Sequence, residues 1–110
     1  MKVDGGLDIL VNNAGVIAWD QENLPNQIKH VMGINYHATK HFTEVLLSND
    51  LIHEKGKVIF ISSGIGRFGN MSTKNPEAYK ALSKYENGMT LEDLHHQVAH
   101  YEKDVIEHGN

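Results

Sequence analysis

The sequence contains no cysteine and has only 2 prolines among its 110 residues. Without cysteine, disulfide-stapled folds and cysteine-ligated metal sites are excluded. Fully apolar runs such as Val58–Ile61 are far shorter than the roughly 18 residues that a membrane-spanning helix needs. The N-terminal residues Met1–Gly6 also lack the apolar stretch of a secretory signal. We therefore expect a cytoplasmic protein that has no membrane partner.

Positive charge is also scarce, because 10 Lys and Arg residues face 14 Asp and Glu residues, for a net charge of −4. No run of basic residues is present, so an electrostatic grip on nucleic acid or acidic lipid is not expected. A hydrophobic content of 40% and a charged content of 22% are typical of a soluble globular chain. The length allows at most one ordinary domain.

Two segments are predicted to be β-strands. Leu7–Asn13 (LDILVNN) and Lys57–Ser63 (KVIFISS) are short and rich in Ile and Val. Glycine bounds both of them: Gly5–Gly6 and Gly56 precede the two segments, and Gly15 and Gly64 follow them. Their apolar residues form continuous runs instead of alternating with polar ones. This pattern favours parallel strands that are covered on both faces.

The segment Pro25–Leu47 between them is predicted to be a helix with one buried face. Its apolar residues recur at three- and four-residue intervals: Ile28, Val31, Met32, Ala38, Phe42, Val45 and Leu46. Strand, helix and strand together form a parallel crossover unit. The predicted class is therefore α/β, with two parallel strands joined by a crossover helix.

Two further helices are predicted after Ser63. Asn75–Pro76–Glu77 is a helix start, and this helix extends to Tyr85. Thr90–Asp93 resembles a capping box, with Asp in place of the usual Glu or Gln, and begins a helix that ends near His108. That helix carries one narrow apolar stripe, formed by Leu91, Leu94, Val98, Tyr101 and Val105.

A sheet of only two strands is marginal, because both strands remain edges and one face lacks covering helices. No third strand is predicted after residue 63. The pattern therefore indicates a piece of a larger sheet.

Small and polar side chains follow both predicted strands. Asn12–Gly15 has two interpretations: an ordinary turn, or a place where a cofactor approaches the backbone at the carboxyl end of a parallel strand. Ser62–Ser63 follows the other strand at the same edge. Its serines either complete a turn or donate a hydrogen bond to a carbonyl oxygen that gains negative charge.

Asn35 falls on the apolar face of the predicted crossover helix. A buried amide without partners costs about 1–3 kcal/mol, so we expect a polar group between this helix and the sheet. A backbone carbonyl is the common partner, and a ligand-related role is the alternative.

Three other patterns are rejected as chemistry. Gly64–Gly69 matches GxGxxG, but Asn75–Pro76 breaks the helix that this motif needs. His96 and His100 are spaced to chelate a metal, but their charged neighbours indicate a solvated face, so no metal site is predicted.

A tyrosine–lysine acid pair is the third. Tyr79 meets Ser83 at i+4, and Lys84 comes one residue too late to share its face. These residues are therefore assigned to a surface helix.

The order LDILVNNAG, INYHATK and GKVIFISS resembles the central portion of a short-chain dehydrogenase/reductase. The resemblance implies a partial Rossmann fold, with residues 1–69 forming the central part of a dinucleotide-binding domain. Residues 70–110 look like the helical insertion that the carbonyl reductase branch places before its catalytic tyrosine segment. In that branch the insertion accompanies a monomeric state.

The resemblance also implies roles for individual residues. Ser63 would bind and polarise the substrate carbonyl, and Asn35 would hold a proton-relay water through the helix that it interrupts. Asn13, Ala14 and Gly15 would line the cofactor side of the crevice. The implied reaction is NADPH-dependent reduction of a ketone, aldehyde or quinone, with a small-molecule carbonyl compound as substrate.

Two motifs of the family are missing from the positions at which the family carries them. No TGxxxGxG precedes Leu7, and no YxxxK follows Ser63. We therefore expect that this chain is an internal fragment that neither binds NADPH tightly nor reduces a carbonyl. The alternative is a non-catalytic interaction module that uses the apolar stripe of the helix at 91–108.

Overall fold

The computed structural model describes residues 5–64 and 76–109. Its strands and helices follow in the order β1 (Leu7–Asn12), a 3₁₀ helix (Gln21–Asn26), α1 (Ile28–Met32), a π-helical turn (Gly33–Ala38), α2 (Thr39–Ser48), β2 (Ile52–Phe60), α3 (Pro76–Ser83) and α4 (Leu91–His108). The chain divides into two compact units, Met1–Ile61 with Tyr101–Asn110, and Ser62–His100. The predicted boundary between residues 69 and 70 lies outside the described residues.

The two strands pair in parallel, as predicted. Leu10 is opposite Val58, and Asn12 is opposite Phe60. One further bond, from the Ile61 N–H to the Asn12 carbonyl (2.9 Å), continues the ladder past the end of β2. The carboxyl ends of both strands therefore meet at one edge of the sheet.

β2 begins and ends earlier than the predicted Lys57–Ser63. β2 extends back to Ile52, which pairs with Leu7. The next pair is Ile9 with Lys57, so the register of the two strands shifts between these pairs. β2 advances five residues where β1 advances two, as an extended bulge does. The sequence pattern identified only the regular half of the strand.

Gly56 lies inside this irregular part of β2 instead of preceding the strand. A Cβ atom at this position would lie 2.8 Å from the His53 carbonyl oxygen and 3.0 Å from the Leu7 carbonyl oxygen. Both neighbours are backbone atoms that cannot turn aside as a side chain can. Glycine is therefore required for the two strands to approach each other here.

One face of the sheet carries the packing. Leu10 is buried, and on the same face the Asn12 side-chain amide donates to the Thr43 hydroxyl (3.0 Å), which places α2 against this face. The opposite face presents four apolar side chains that are 41% to 56% exposed, namely Ile9, Val11, Ile59 and Ile61. The expectation that a two-stranded sheet leaves a face uncovered is met within the described residues.

The crossover helix is not one regular helix. The π-helical turn at Gly33–Ala38 adds a residue to the turn, so every later side chain shifts by about one position relative to a continuous α-helix. Phe42, predicted to be buried, is 53% exposed, while its neighbour Thr43 is only 7% exposed. The predicted buried face is therefore correct at Ile28 and wrong at Phe42, while Leu46 is half-buried.

The carboxyl-terminal half of α4 belongs to the unit that contains the sheet. Val105 is fully buried, and the Glu102 carboxylate lies 2.6 Å from Nε2 of His37 in the π turn. This contact connects α4 to the segment that carries Asn35. Among residues 5–64 and 76–109, no helix combines the length and apolarity needed to cross a membrane.

The predicted capping box at the start of α4 is present. The Thr90 N–H donates to the Asp93 carboxylate (3.0 Å), and the Asp93 N–H donates to the Thr90 hydroxyl (3.0 Å). Asp performs the function of the usual Glu at this position. The Asp93 carboxylate accepts from the Thr90 backbone N–H and, to a smaller extent, from the Thr90 side chain, and these bonds lower its pKa below the ordinary value of 3.8.

Replacing Gly56 with alanine tests the close strand approach. We expect Gly56→Ala to lower the free energy of unfolding by about 1–3 kcal/mol, the usual cost of forcing extra volume into a filled site. Urea unfolding followed by circular dichroism measures this change. The matched control is Gly33→Ala, where a Cβ would meet nothing within 4 Å and the backbone is helical. Equal effects of the two substitutions would contradict the steric assignment.

The capping box predicts a pH dependence at the start of α4. Because the pKa of Asp93 is lowered by folding, its stabilising effect is complete above the unfolded value and is lost as the pH falls through the folded value. Thr90→Val should move the pKa of Asp93 upward, toward its ordinary value, in a titration followed by NMR. Ser48→Ala, a hydroxyl at the end of α2, is the control and should leave that pKa unchanged. An Asp93 pKa that does not respond to Thr90→Val would contradict the assignment.

Candidate functional site

The end of β1 is anchored to α2 by a short chain of hydrogen bonds. Asn12 donates its side-chain amide to the Thr43 hydroxyl, and that hydroxyl donates to the Thr39 carbonyl oxygen (2.9 Å). Thr43 therefore uses its hydroxyl as donor and acceptor at once. This arrangement fixes where the chain leaves the sheet and where the candidate site begins.

Asn13, Ala14 and Gly15 follow directly beyond β1 and are exposed. A Cβ atom on Gly15 would lie 3.5 Å from the Asn35 side-chain oxygen, an ordinary contact distance. Three small or short side chains thus leave the backbone accessible at the carboxyl end of a parallel strand. That is the position at which open α/β sheets bind their ligands.

Asn35 is held by two hydrogen bonds to one residue. Its side-chain oxygen accepts from the Val16 N–H (2.8 Å), and its side-chain amide donates to the Val16 carbonyl oxygen (2.8 Å). The two bonds fasten the π turn to the segment that follows Gly15. The site therefore has a fixed geometry across 19 residues of sequence.

The predicted burial of Asn35 is wrong, because the residue is exposed. The π turn rotates the helix at this point, so a position that α-helical spacing assigns to the apolar face lies at its margin. The expected polar partner does exist, as the backbone of Val16. An amide has two N–H donors and two acceptor lone pairs, so the bonds to Val16 use half of its capacity and a water can share the residue.

Gln27 was missed by the sequence patterns. Its side chain is 2% exposed and makes four hydrogen bonds to the backbone of Trp19, Asp20 and Asn23. The sequence carried one signal for such a residue: the backbone groups of the polar segment Asp20–Asn26 need hydrogen-bond partners. Periodicity does not identify which side chain supplies them.

Ser62 and Ser63 follow β2 and are exposed, three residues or fewer beyond its last residue. They lie in the unit Ser62–His100, whereas Asn13 and Asn35 lie in the other unit. The structure brings Asn35 together with Gly15 and Val16. The placement of Ser63 beside Asn13 stays a prediction.

The residues of the rejected tyrosine–lysine pair lie in α3 and just beyond its end. The Ser83 hydroxyl donates to the Tyr79 carbonyl oxygen (2.6 Å). Lys84 places its ammonium group 5.0 Å from the ring centre of the adjacent Tyr85. Tyr79 remains assigned to a surface helix.

The other two rejected patterns give no site in the part of the chain that the structure describes. Within 5–64 and 76–109, no three His, Asp or Glu side chains gather as metal ligands would. Most of the GxGxxG match at 64–69 lies outside those ranges.

Removing the Asn35 amide tests its hold on Val16. We expect Asn35→Ala to accelerate hydrogen exchange of the Val16 amide by about five- to tenfold, since one net hydrogen bond is worth about 1 kcal/mol. Asn35→Asp keeps an acceptor for the Val16 N–H and should retain most of the protection. Asn26→Ala removes an exposed amide that bonds to the Asn23 side chain, and serves as the control. Unchanged exchange at Val16 in Asn35→Ala would contradict the geometry.

Sequence similarity to known proteins identifies the family of this chain. The sequence profile described as short chain dehydrogenase matches residues 1–106. Retinol dehydrogenase 10-A of Danio rerio is 34% identical over 104 residues, which are 93% of this chain and 30% of that protein. The 3-oxoacyl-[acyl-carrier-protein] reductase FabG of Buchnera aphidicola subsp. Baizongia pistaciae is 30% identical over 94 residues, 80% of this chain and 37% of that protein.

The chain thus spans about a third of the length of these curated relatives. No solved structure matches it. The family match covers both strands and the crossover between them, and it confirms the predicted class, an α/β chain with a partial Rossmann fold. Sequence profile, parallel strand pairing and the NNAG segment beyond β1 lead to one conclusion: the chain belongs to the short-chain dehydrogenase family.

Proposed function

We propose that the chain is an internal fragment of an NADPH-dependent carbonyl reductase that converts ketones, aldehydes or quinones to alcohols. One observation carries the proposal. Asn35 lies in the interrupted part of the crossover helix and binds the backbone just beyond Asn13–Gly15. A polar side chain that can share a water is thereby fixed at the carboxyl end of β1.

The printed names of the two relatives support this class of chemistry. One is a dehydrogenase of retinol, which is an alcohol, and the other is a reductase of a 3-oxoacyl group, which contains a ketone. Both interconvert an alcohol and a carbonyl. The two names do not identify one substrate for this chain.

The helices after residue 75 support the carbonyl reductase branch within the family. α3 and α4 follow β2 along the chain, at the place where that branch carries its helical insertion. From this assignment we also propose a monomeric parent enzyme in the cytoplasm, with no nucleic acid or membrane partner.

The residues present suit one part of a nicotinamide cofactor. Asn13, Ala14 and Gly15 are small or short, exposed, and located where a dinucleotide approaches the sheet. They would line its side of the crevice. When bound, NADPH supplies the hydride for carbonyl reduction. The sequence has no TGxxxGxG loop to bind its phosphates, so tight binding by this chain alone is not expected.

Two further residues would act on the substrate side. Ser63 would donate its hydroxyl hydrogen to the substrate carbonyl oxygen, which favours negative charge on that atom. Asn35 would orient a water near the site by its remaining donor and acceptor capacity. The proton donor of the reaction would be a tyrosine of a YxxxK motif that follows the serine, and no such motif follows Ser63 in this sequence.

The test begins with the chain itself and continues with the sequence around it. Titration with NADPH should give no saturable binding at micromolar concentration, and no ketone reduction should be detected. The coding sequence on the two sides should encode TGxxxGxG upstream and YxxxK downstream. In the protein that includes them, Ser63→Ala should lower kcat about a hundredfold or more. Ser62→Ala, the adjacent serine, is the matched control and should retain activity.

A second candidate function rests on the apolar stripe of α4. Leu91, Leu94 and Tyr101 are exposed there, as a docking surface of an interaction module would require. Most helices with such a stripe pack it against their own domain. If a pull-down with this chain recovered a partner that Leu94→Asp abolished, and the flanking motifs were missing, the module would replace the enzyme.

A further inference from the structure

Two side-chain amides hold the two ends of the segment Val16–Asp20, which we call the 16–20 loop. Asn35 fixes its start through both backbone groups of Val16. Gln27 fixes its end, because its side-chain oxygen accepts from the Trp19 N–H (2.7 Å) and the Asp20 N–H (3.2 Å). The Gln27 amide also donates to the Asp20 carbonyl oxygen (2.6 Å). A loop without regular secondary structure is therefore held at both ends.

The 16–20 loop presents apolar side chains to solvent. Ile17 is 84% exposed and Trp19 is 72% exposed, although the backbone between them is fixed. The Trp19 ring meets the His30 ring edge to face, with centres 5.6 Å apart and planes at 70°. Because the backbone that carries these side chains is restrained at both ends, a ligand that covers them incurs less of the entropic cost of ordering a loop.

We propose that Ile17 and Trp19 form an apolar wall that contacts the body of the carbonyl substrate, and that Gln27 is the positioning residue of this wall. The inference rests on the proposed function, because it takes the crevice beyond β1 as the substrate site. The 16–20 loop lies next to that crevice, because it begins at the residue after Gly15 and is hydrogen-bonded to Asn35.

Charge narrows the substrate class. Between Val16 and Asn26 the charged side chains are Asp20 and Glu22, and both are acidic. An anionic substrate would be repelled here, and a neutral one would not. The wall therefore selects a neutral carbonyl compound with an apolar body over a carboxylate of the same shape.

Trp19 is the single tryptophan of the chain and reports on the wall directly. The probes are 9-fluorenone, a neutral apolar ketone, and fluorenone-4-carboxylate, its anionic counterpart. Titration of the full chain with 9-fluorenone should quench Trp19 fluorescence saturably, and the carboxylate should bind about tenfold more weakly. Ile17→Asp should weaken 9-fluorenone binding by about tenfold or more. Leu47→Asp, which changes an exposed apolar residue of α2, is the matched control and should leave binding unchanged.

The positioning role of Gln27 needs a readout other than affinity. Gln27→Met keeps the side-chain volume but removes the four hydrogen bonds, so the fast component of Trp19 fluorescence anisotropy decay should grow and 9-fluorenone binding should weaken. Asn26→Leu removes the neighbouring exposed amide and should change neither. Retained order of Trp19 in Gln27→Met would overturn the positioning role.

The wall itself has separate failing results. Linear, non-saturable quenching of the unaltered chain, or equal binding by Ile17→Asp, would overturn it. Neither binding measurement uses cofactor or turnover, so a failure of the wall can be distinguished from a failure of the proposed function. The proposed function fails if the flanking motifs are missing, or if Ser63→Ala keeps full activity in the longer protein.

Discussion

The extra residue of the π turn at Gly33–Ala38 determines which side chains of the crossover helix face the sheet. After this turn, Thr43 and not Phe42 points to the strands, and its hydroxyl accepts the amide of Asn12. At the turn itself, Asn35 leaves the apolar face and reaches Val16. The extra residue of the π turn thus determines two polar contacts near the end of β1, one between Asn12 and Thr43 and one between Asn35 and Val16.

This dependence explains how much the sequence could predict. Strand β1, the parallel pairing and the helices after residue 75 follow from apolar runs, glycine positions and capping residues, all of which are local signals. Which side chains of α2 face the sheet does not follow from local signals, because hydrophobic periodicity assumes a constant number of residues per turn. The burial predicted for Asn35 failed for that reason. Its need for a polar partner was nonetheless inferred correctly, since that need depends on the amide and not on its exposure.

Tertiary constraints were also invisible in the pattern. Gly56 looked like the boundary of a strand, yet it lies within β2, where two backbone oxygens leave no space for a Cβ. Gln27 looked like one more polar residue near a helix start, yet it is buried and bonds to three residues of the preceding segment. Both roles depend on atoms that come close only in the folded chain. NNAG and Ser62–Ser63 were singled out because residue type and strand position coincide there, and their roles stay predictions.

The exposure of the candidate site limits what its polar groups achieve by themselves. Hydrogen bonds to a developing negative charge are strongest where water is excluded and the local dielectric is low. Asn35 and Ser63 are both exposed, and one face of the sheet has four uncovered apolar side chains. Water therefore reaches both side chains in the part of the chain that the structure describes, and it weakens the hydrogen bonds that they make. A neutral substrate lying against Ile17 and Trp19 would itself remove water from one side of the crevice. In such a site, the apolar body of the substrate helps to exclude water from its own carbonyl group, and hydrogen bonds to that carbonyl become stronger.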